Sequence, residues 1–259
     1  MNVLKKRILS VFCCLLSCLS CLSFSVSAKG GQHWYCAHVK NHARPRIDSA
    51  LSYIEKYDGY YIGEDEHDKV IYLTFDAGYE NGNVAKILDV LKEKQVPAAF
   101  FVLTHLVDKE TALVSRMLDE GHAVCNHTAH HKDLSGADRA AFEKELGDLS
   151  SLFLEKTGKP MAKYYRPPEG TFSENNLKWA KEMGYKTIFW SFAYADWDNQ
   201  KQMSADAAKD KILSNIHPGE VMLLHPTSDT NAAILGEVID QCRAMGYCFG
   251  TLDELTANA

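Results

Sequence analysis

Lys69-Val70-Ile71-Tyr72-Leu73-Thr74-Phe75-Asp76-Ala77-Gly78 is the stretch on which the fold turns. Residues 70–75 are β-favouring and end on a carboxylate and a turn glycine, with Asn81-Gly82 just beyond. A short apolar run bounded in this way predicts a buried strand. Over 84–94 the period changes: Val84, Ile87, Leu88 and Leu91 fall on one helical face.

Outward from this unit the alternation repeats. Strands are predicted at 98–103, 122–125, 163–165, 187–190, 221–224 and 247–250, with helices at 110–120, 138–156, 174–183, 205–215 and 234–245. Strands separated by helices of this length lie parallel and join by right-handed crossovers. The expected fold is α/β, a (β/α) barrel of about seven parallel strands, closed or nearly so, with its active site at the C-terminal strand ends. Residues 69–255 form this domain. Residues 29–68 form an N-terminal extension with a helix near 47–56 and an acidic cluster at Glu64, Asp65, Glu66 and Asp68.

Residues 1–28 read as a leader. Lys5, Lys6 and Arg7 precede an uncharged apolar run, and Val26-Ser27-Ala28 sets small residues at a cleavage site after Ala28. An exported, extracytoplasmic protein is expected; an uncleaved anchor and a lipoprotein at Cys18 are the alternatives. The chain has 28 basic and 34 acidic residues, net −6. The leader holds three of the basic residues and no acid, so the remainder is more acidic still. That charge excludes a nucleic-acid partner. Outside the leader, Cys36, Cys125, Cys242 and Cys248 are scattered and leave no C-x-x-C pair for zinc. Cys242 and Cys248 are either a disulfide or small apolar fillers.

The polar clusters follow the strands. Asp76 ends the first and points into a barrel mouth, or else serves as a turn or cap residue ahead of Gly78. His127 and His131 follow the 122–125 strand; at i and i+4 on one helical turn they can share a metal. His130, about 100° around that turn, is a bystander. Arg166 leads into Pro167-Pro168-Glu169-Gly170, a rigid loop suited to an oxyanion site or a plain connection. Asp196-Trp197 follows one strand. His225 directly follows another and is a candidate general acid.

Thr74-Phe75-Asp76-x-Gly78, His127-Thr128-x-x-His131, Arg166-Pro167-Pro168-x-Gly170, Asp196-Trp197 and Leu223-Leu224-His225 together resemble, in order, the five motifs of the polysaccharide deacetylases, carbohydrate esterase family four with the NodB-homology domain. The likeness runs over roughly 69–255. It is nearest to the spore-cortex peptidoglycan N-acetylmuramic acid deacetylases that lead to muramic δ-lactam, through 71–82, Phe189-Trp190-Ser191, Asn231-Ala232 and 57–61.

The resemblance implies a distorted barrel and a set of roles. Asp76 is the general base, with Arg166 pairing to hold it ionised. His127 and His131 hold a divalent metal, zinc or another ion. His225 is the general acid and Asp196 orients it. Glu169, Gly170, Trp197 and Leu223 line the oxyanion and substrate positions. The implied partners are peptidoglycan glycan strands and an amidase that first removes the stem peptide. One position departs from the pattern: Ala77 stands where the family carries a second Asp as metal ligand. Metal binding is then expected to be weak, or completed by water, substrate or Glu80. A deacetylase of another glycan, such as N-acetylglucosamine polymers or xylan, and a non-catalytic glycan-binding relative are the competing readings.

Overall fold

The computed structural model describes residues 31–39 and 41–257. The N-terminal part supplies β1 (Gln32–His33), a 3-10 helix (Ser49–Tyr57) and β2 (Gly59–Tyr60). The repeating part runs β3 (Val70–Ala77), α1 (Asn83–Lys94), β4 (Ala99–Val102), α2 (Thr104–Lys109), α3 (Thr111–Asp119), β5 (Ala123–Asn126) and α4 (Arg139–Thr157). It continues through β6 (Tyr164–Tyr165), β7 (Thr171–Phe172), α5 (Glu174–Glu182), β8 (Lys186–Ile188), α6 (Ala205–Leu213), β9 (Glu220–Leu224), α7 (Asp229–Ala244), β10 (Cys248–Gly250) and α8 (Leu252–Leu255).

β3 organises the sheet. Ile71, Leu73, Phe75 and Ala77 join the core beneath the helices, together with Val84, Ile87, Leu88 and Leu91 of α1. The alternate residue Tyr72 packs instead with Phe101, Ile188 and Val221 inside the sheet's curl. This period of two is what a strand buried on both faces requires. The main sheet runs β10-β3-β4-β5-β6-β8-β2, with β9 also on β3, and its pairings are parallel. The expected barrel strands are therefore present, and β2 of the extension adds one more. Just past β8, Phe192 bridges Met222 of β9, and Leu223 N donates to Phe192 O at 2.9 Å. The curled sheet is thus brought round by one bridge rather than a full ladder.

Helix ends follow local chemistry. Glu80 accepts from Gly82 N at 2.6 Å and Val84 N at 3.0 Å, capping α1. Asp138 caps α4, and Ser173 with Asn176 forms a capping box on α5. The single helix expected over 110–120 is preceded by a separate one, α2, too short to show a period of its own in sequence.

The extension packs on the barrel rather than trailing from it. Trp34 stacks on Phe189 at 4.3 Å, and its indole donates to Trp190 O at 2.9 Å. Leu51 and Ile54 bury one edge of the 3-10 helix beside Phe172 and Leu177. Gly59 then enters the sheet where any Cβ would meet Ile54 O at 2.8 Å.

Cys36, Cys125, Cys242 and Cys248 are all free. Cys242 fills the core on α7 while Cys248 is exposed, and the two are not joined. The leader lies outside the described residues. Among the described residues, no helix is long and apolar enough to cross a membrane.

Candidate active site

Asp76 sits one residue from the end of β3, on the same strand face as Thr74, and Arg166 follows β6 directly. Arg166 Nη1 donates to Asp76 Oδ1 at 2.8 Å, and Nη2 donates to Thr74 Oγ1 at 2.9 Å. Nε reaches Ile188 O at 3.0 Å and Nη2 also reaches Phe189 O at 3.2 Å. The guanidinium lies 4.1 Å from the Phe101 ring centroid. Arg166 is wholly buried and the Asp76 side chain 10% exposed. A fork this fully engaged is what makes a buried cation tolerable.

The histidine cluster is assembled differently from the expected helical turn. Residues 127–131 form an irregular loop with Thr128 and His131 at positive φ, +71° and +55°. The loop still brings the rings of His127 and His131 to 4.9 Å, edge to face. His127 Nδ1 lies 2.9 Å from Arg166 O, which can only accept, so Nδ1 carries the proton. Its Nε2 then faces Asp76 Oδ2 at 3.5 Å with a lone pair. His130 turns away to Glu145, at 3.0 Å.

Two acceptors facing one another, with a second imidazole beside them, fit a cation held by His127 and His131. Ala77 has no donor atom, and Glu80 is occupied in capping α1. Among the described residues, no group of three His, Cys, Asp or Glu is arranged to hold a metal.

His225 directly follows β9. Its Nδ1 lies 2.7 Å from Asp196 Oδ1, and its backbone N donates to Asp196 Oδ2 at 2.8 Å. Asp196 is buried, and the His225 side chain is 25% exposed. Trp197 stands 61% exposed with its ring 6.0 Å from that of His225. Glu169 is exposed at φ +55°. Gly170 N–H is taken by Pro167 O at 3.1 Å and Leu223 N–H by Phe192 O, so neither amide is free for an oxyanion.

Sequence reasoning missed Thr74 and the contacts of two residues beside Asp196: Asn231, which donates to its carboxylate, and Tyr194, which donates to Asn231. Thr74 was findable as the strand position two before Asp76. Asn231 lies three residues after Ser228 and resembles an ordinary first-turn residue of α7.

The electrostatics of the two halves differ. Burial alone raises a carboxyl, yet at Asp76 the neighbouring His127, Arg166 and His225 prevail and hold it below the ordinary carboxylate range. Burial drives His127 down to about 4, so at neutral pH Arg166 is the permanent cation that keeps Asp76 ionised. At His225 burial favours the neutral ring, but the hydrogen bond and charge of Asp196, with the charge of Asp76, outweigh it and raise the group. A carboxyl shifted toward its ionised form and an imidazole shifted toward its protonated form suit a base and an acid.

The chain matches the family model described as polysaccharide deacetylase over residues 63–188. It is 42% identical over 224 residues to the peptidoglycan-N-acetylmuramic acid deacetylase PdaA of Bacillus subtilis, covering 86% of this chain and 85% of that protein. A peptidoglycan-N-acetylglucosamine deacetylase of Bacillus cereus is 33% identical over 209 residues, covering 79% and 74%. The solved structure of Bacillus subtilis PdaA, a family 4 carbohydrate esterase, superposes with a TM-score of 0.84 at 41% identity, covering 88% of this chain and 97% of that one.

Proposed function

The chain belongs to the polysaccharide deacetylase family, and from that premise we propose that it hydrolyses the N-acetyl group of N-acetylmuramic acid in peptidoglycan. The observation that carries the reading is the pairing just described: an ionised Asp76 against Arg166 and a tethered His225 against Asp196.

The reaction needs an activated water, a stabilised oxyanion and a proton for the leaving nitrogen. Asp76 takes a proton from water, whose oxygen attacks the acetyl carbon. The backbone N–H of Glu169 is the donor assigned to the developing oxyanion. His225 delivers its proton to the amide nitrogen as the C–N bond breaks, leaving acetate and a free amine on the sugar. Asp196 keeps the His225 ring oriented, and Trp197 offers an exposed aromatic wall to the sugar. His127 and His131 are the residues that would hold a divalent cation, zinc or another, which supplies positive charge toward the oxyanion.

Closure to a δ-lactam joins the freed muramic amine to the lactyl carboxyl with loss of water, and so uses a carboxyl that is free of the stem peptide. An amidase that removes the stem peptide is therefore the expected upstream partner, and spore cortex the expected setting. Peptidoglycan lies outside the cytoplasmic membrane, in keeping with the basic and apolar leader of the sequence.

Acetate release from purified peptidoglycan, with mass analysis of the glycan fragments, tests the reading. The expected product is glycan 42 Da lighter per site (~42, the mass of an acetyl group less a proton) on the muramic sugar. Loss confined to N-acetylglucosamine would assign the other sugar, and a folded protein releasing no acetate would leave only glycan binding.

A further inference from the structure

Asp196 lies in the stretch between β8 and α6, which has no regular secondary structure, so its carboxylate depends on side chains from elsewhere. Asn231, on the first turn of α7 and 1% exposed, supplies them. Its Nδ2 donates to Asp196 Oδ2 at 2.6 Å and to His225 O at 3.1 Å. Both partners can only accept, so the amide must present its nitrogen to them. The amide oxygen is then left buried, and the Tyr194 hydroxyl donates to it. Burial keeps the Tyr194 phenol protonated by raising it, with the nearby charge of Asp196 adding to this.

The backbone closes the same circuit. Asn231 N donates to Ser228 Oγ at 3.1 Å, and Ser228 Oγ donates to Gln202 Oε1 at 2.6 Å. Gln202 Nε2 returns to Asp196 O at 2.8 Å. With Oδ1 on the His225 ring and Oδ2 on two further donors, the Asp196 carboxylate has no freedom to rotate.

We propose that Asn231, backed by Tyr194, is a positioning residue for the general acid: it locks the Asp196 carboxylate in the one orientation that holds the His225 ring. This rests on His225 being the acid, as proposed above.

The test is nuclear magnetic resonance titration of His225 in the full chain, alongside kcat and KM for acetate release. The other charged groups acting on His225 are Asp76 and Arg166, and neither is altered. In Asn231→Leu the freed carboxylate rotates, His225 titrates at lower pH, and kcat falls by up to about 100-fold with KM little changed. Tyr194→Phe does the same more weakly, and decides the matter if Asn231→Leu fails to fold. Ile234→Ala, a core change on the same helix, lowers stability without moving the titration. An unmoved His225 titration in both variants overturns the proposal, even if kcat drops. Parent protein that releases no acetate defeats the deacetylase reading, while the titration still decides whether Asn231 positions the ring.

Discussion

The two charged pairs at the barrel mouth are built on opposite plans. Asp76–Arg166 hangs on strand ends, and the guanidinium is gripped by backbone carbonyls that no side-chain rotation can move. In Asp196–His225 the histidine follows a strand but the aspartate lies on an irregular segment, held mainly by side chains together with the His225 backbone N–H. The proposed base must enter every turnover ionised, so it faces a cation that never deprotonates. The acid must lose and regain its proton, so it faces a carboxylate and keeps an edge in solvent. Permanence is built from backbone and burial, reversibility from side chains and access.

The largest effect comes from breaking the permanent pair. Arg166→Met strands the Asp76 carboxylate and should cost about 3–5 kcal/mol of stability by urea denaturation, with loss of activity. A cost under about 1 kcal/mol would mean that the pair is not held as described. Asp76→Asn is gentler on the fold, because Arg166 keeps Thr74 Oγ1, Ile188 O and Phe189 O as acceptors. It should lower kcat by about 10²–10⁴-fold. His225→Ala should lose as much on the amide and far less on an activated aryl ester, whose phenolate leaves without a proton. Equal losses on both substrates would show that His225 is not the acid.

The pH profile sharpens the contrast further. Asp76 is depressed, so its contribution to stability and to rate is present above the ordinary carboxylate range and lost as pH falls through its lowered folded value. His225 is raised, so its contribution is present below the ordinary histidine value and lost as pH rises through its elevated folded value. A plot of kcat/KM against pH should show an acid limb shifted to lower pH and a basic limb shifted to higher pH than free side chains give. Limbs at ordinary values would contradict both environments. Smallest of all, Trp197→Ala should leave stability within about 0.5 kcal/mol, since the ring is exposed, and act mainly by raising KM for glycan.

Much of this was legible in the sequence because each strand announces its own end. Asp76, Arg166 and His225 sit at or just after apolar runs, and the barrel places those ends together. The histidine pair was legible as a pair but not in its geometry: spacing of four suggests a helical turn, whereas two left-handed residues make the approach. Asn231 and Tyr194 were illegible because their partners are distant in sequence, and a buried amide in a helix's first turn looks like capping. The closing bridge at Phe192 and Met222 left no periodic signal, being a single residue pair.

The docking of the extension has a consequence for how the chain assembles. β2 pairs with β8, and the Trp34 indole bonds to Trp190 O across 156 positions of sequence. This early segment therefore waits for a strand made far later, and loop-closure entropy opposes the meeting until that strand is in place. Until β2 docks, β8 presents a bare flank, the kind of open hydrogen-bonding edge that recruits other chains. A chain shortened before residue 62 would keep every catalytic side chain and yet leave that flank permanently uncovered, so its failure would show first as association in solution.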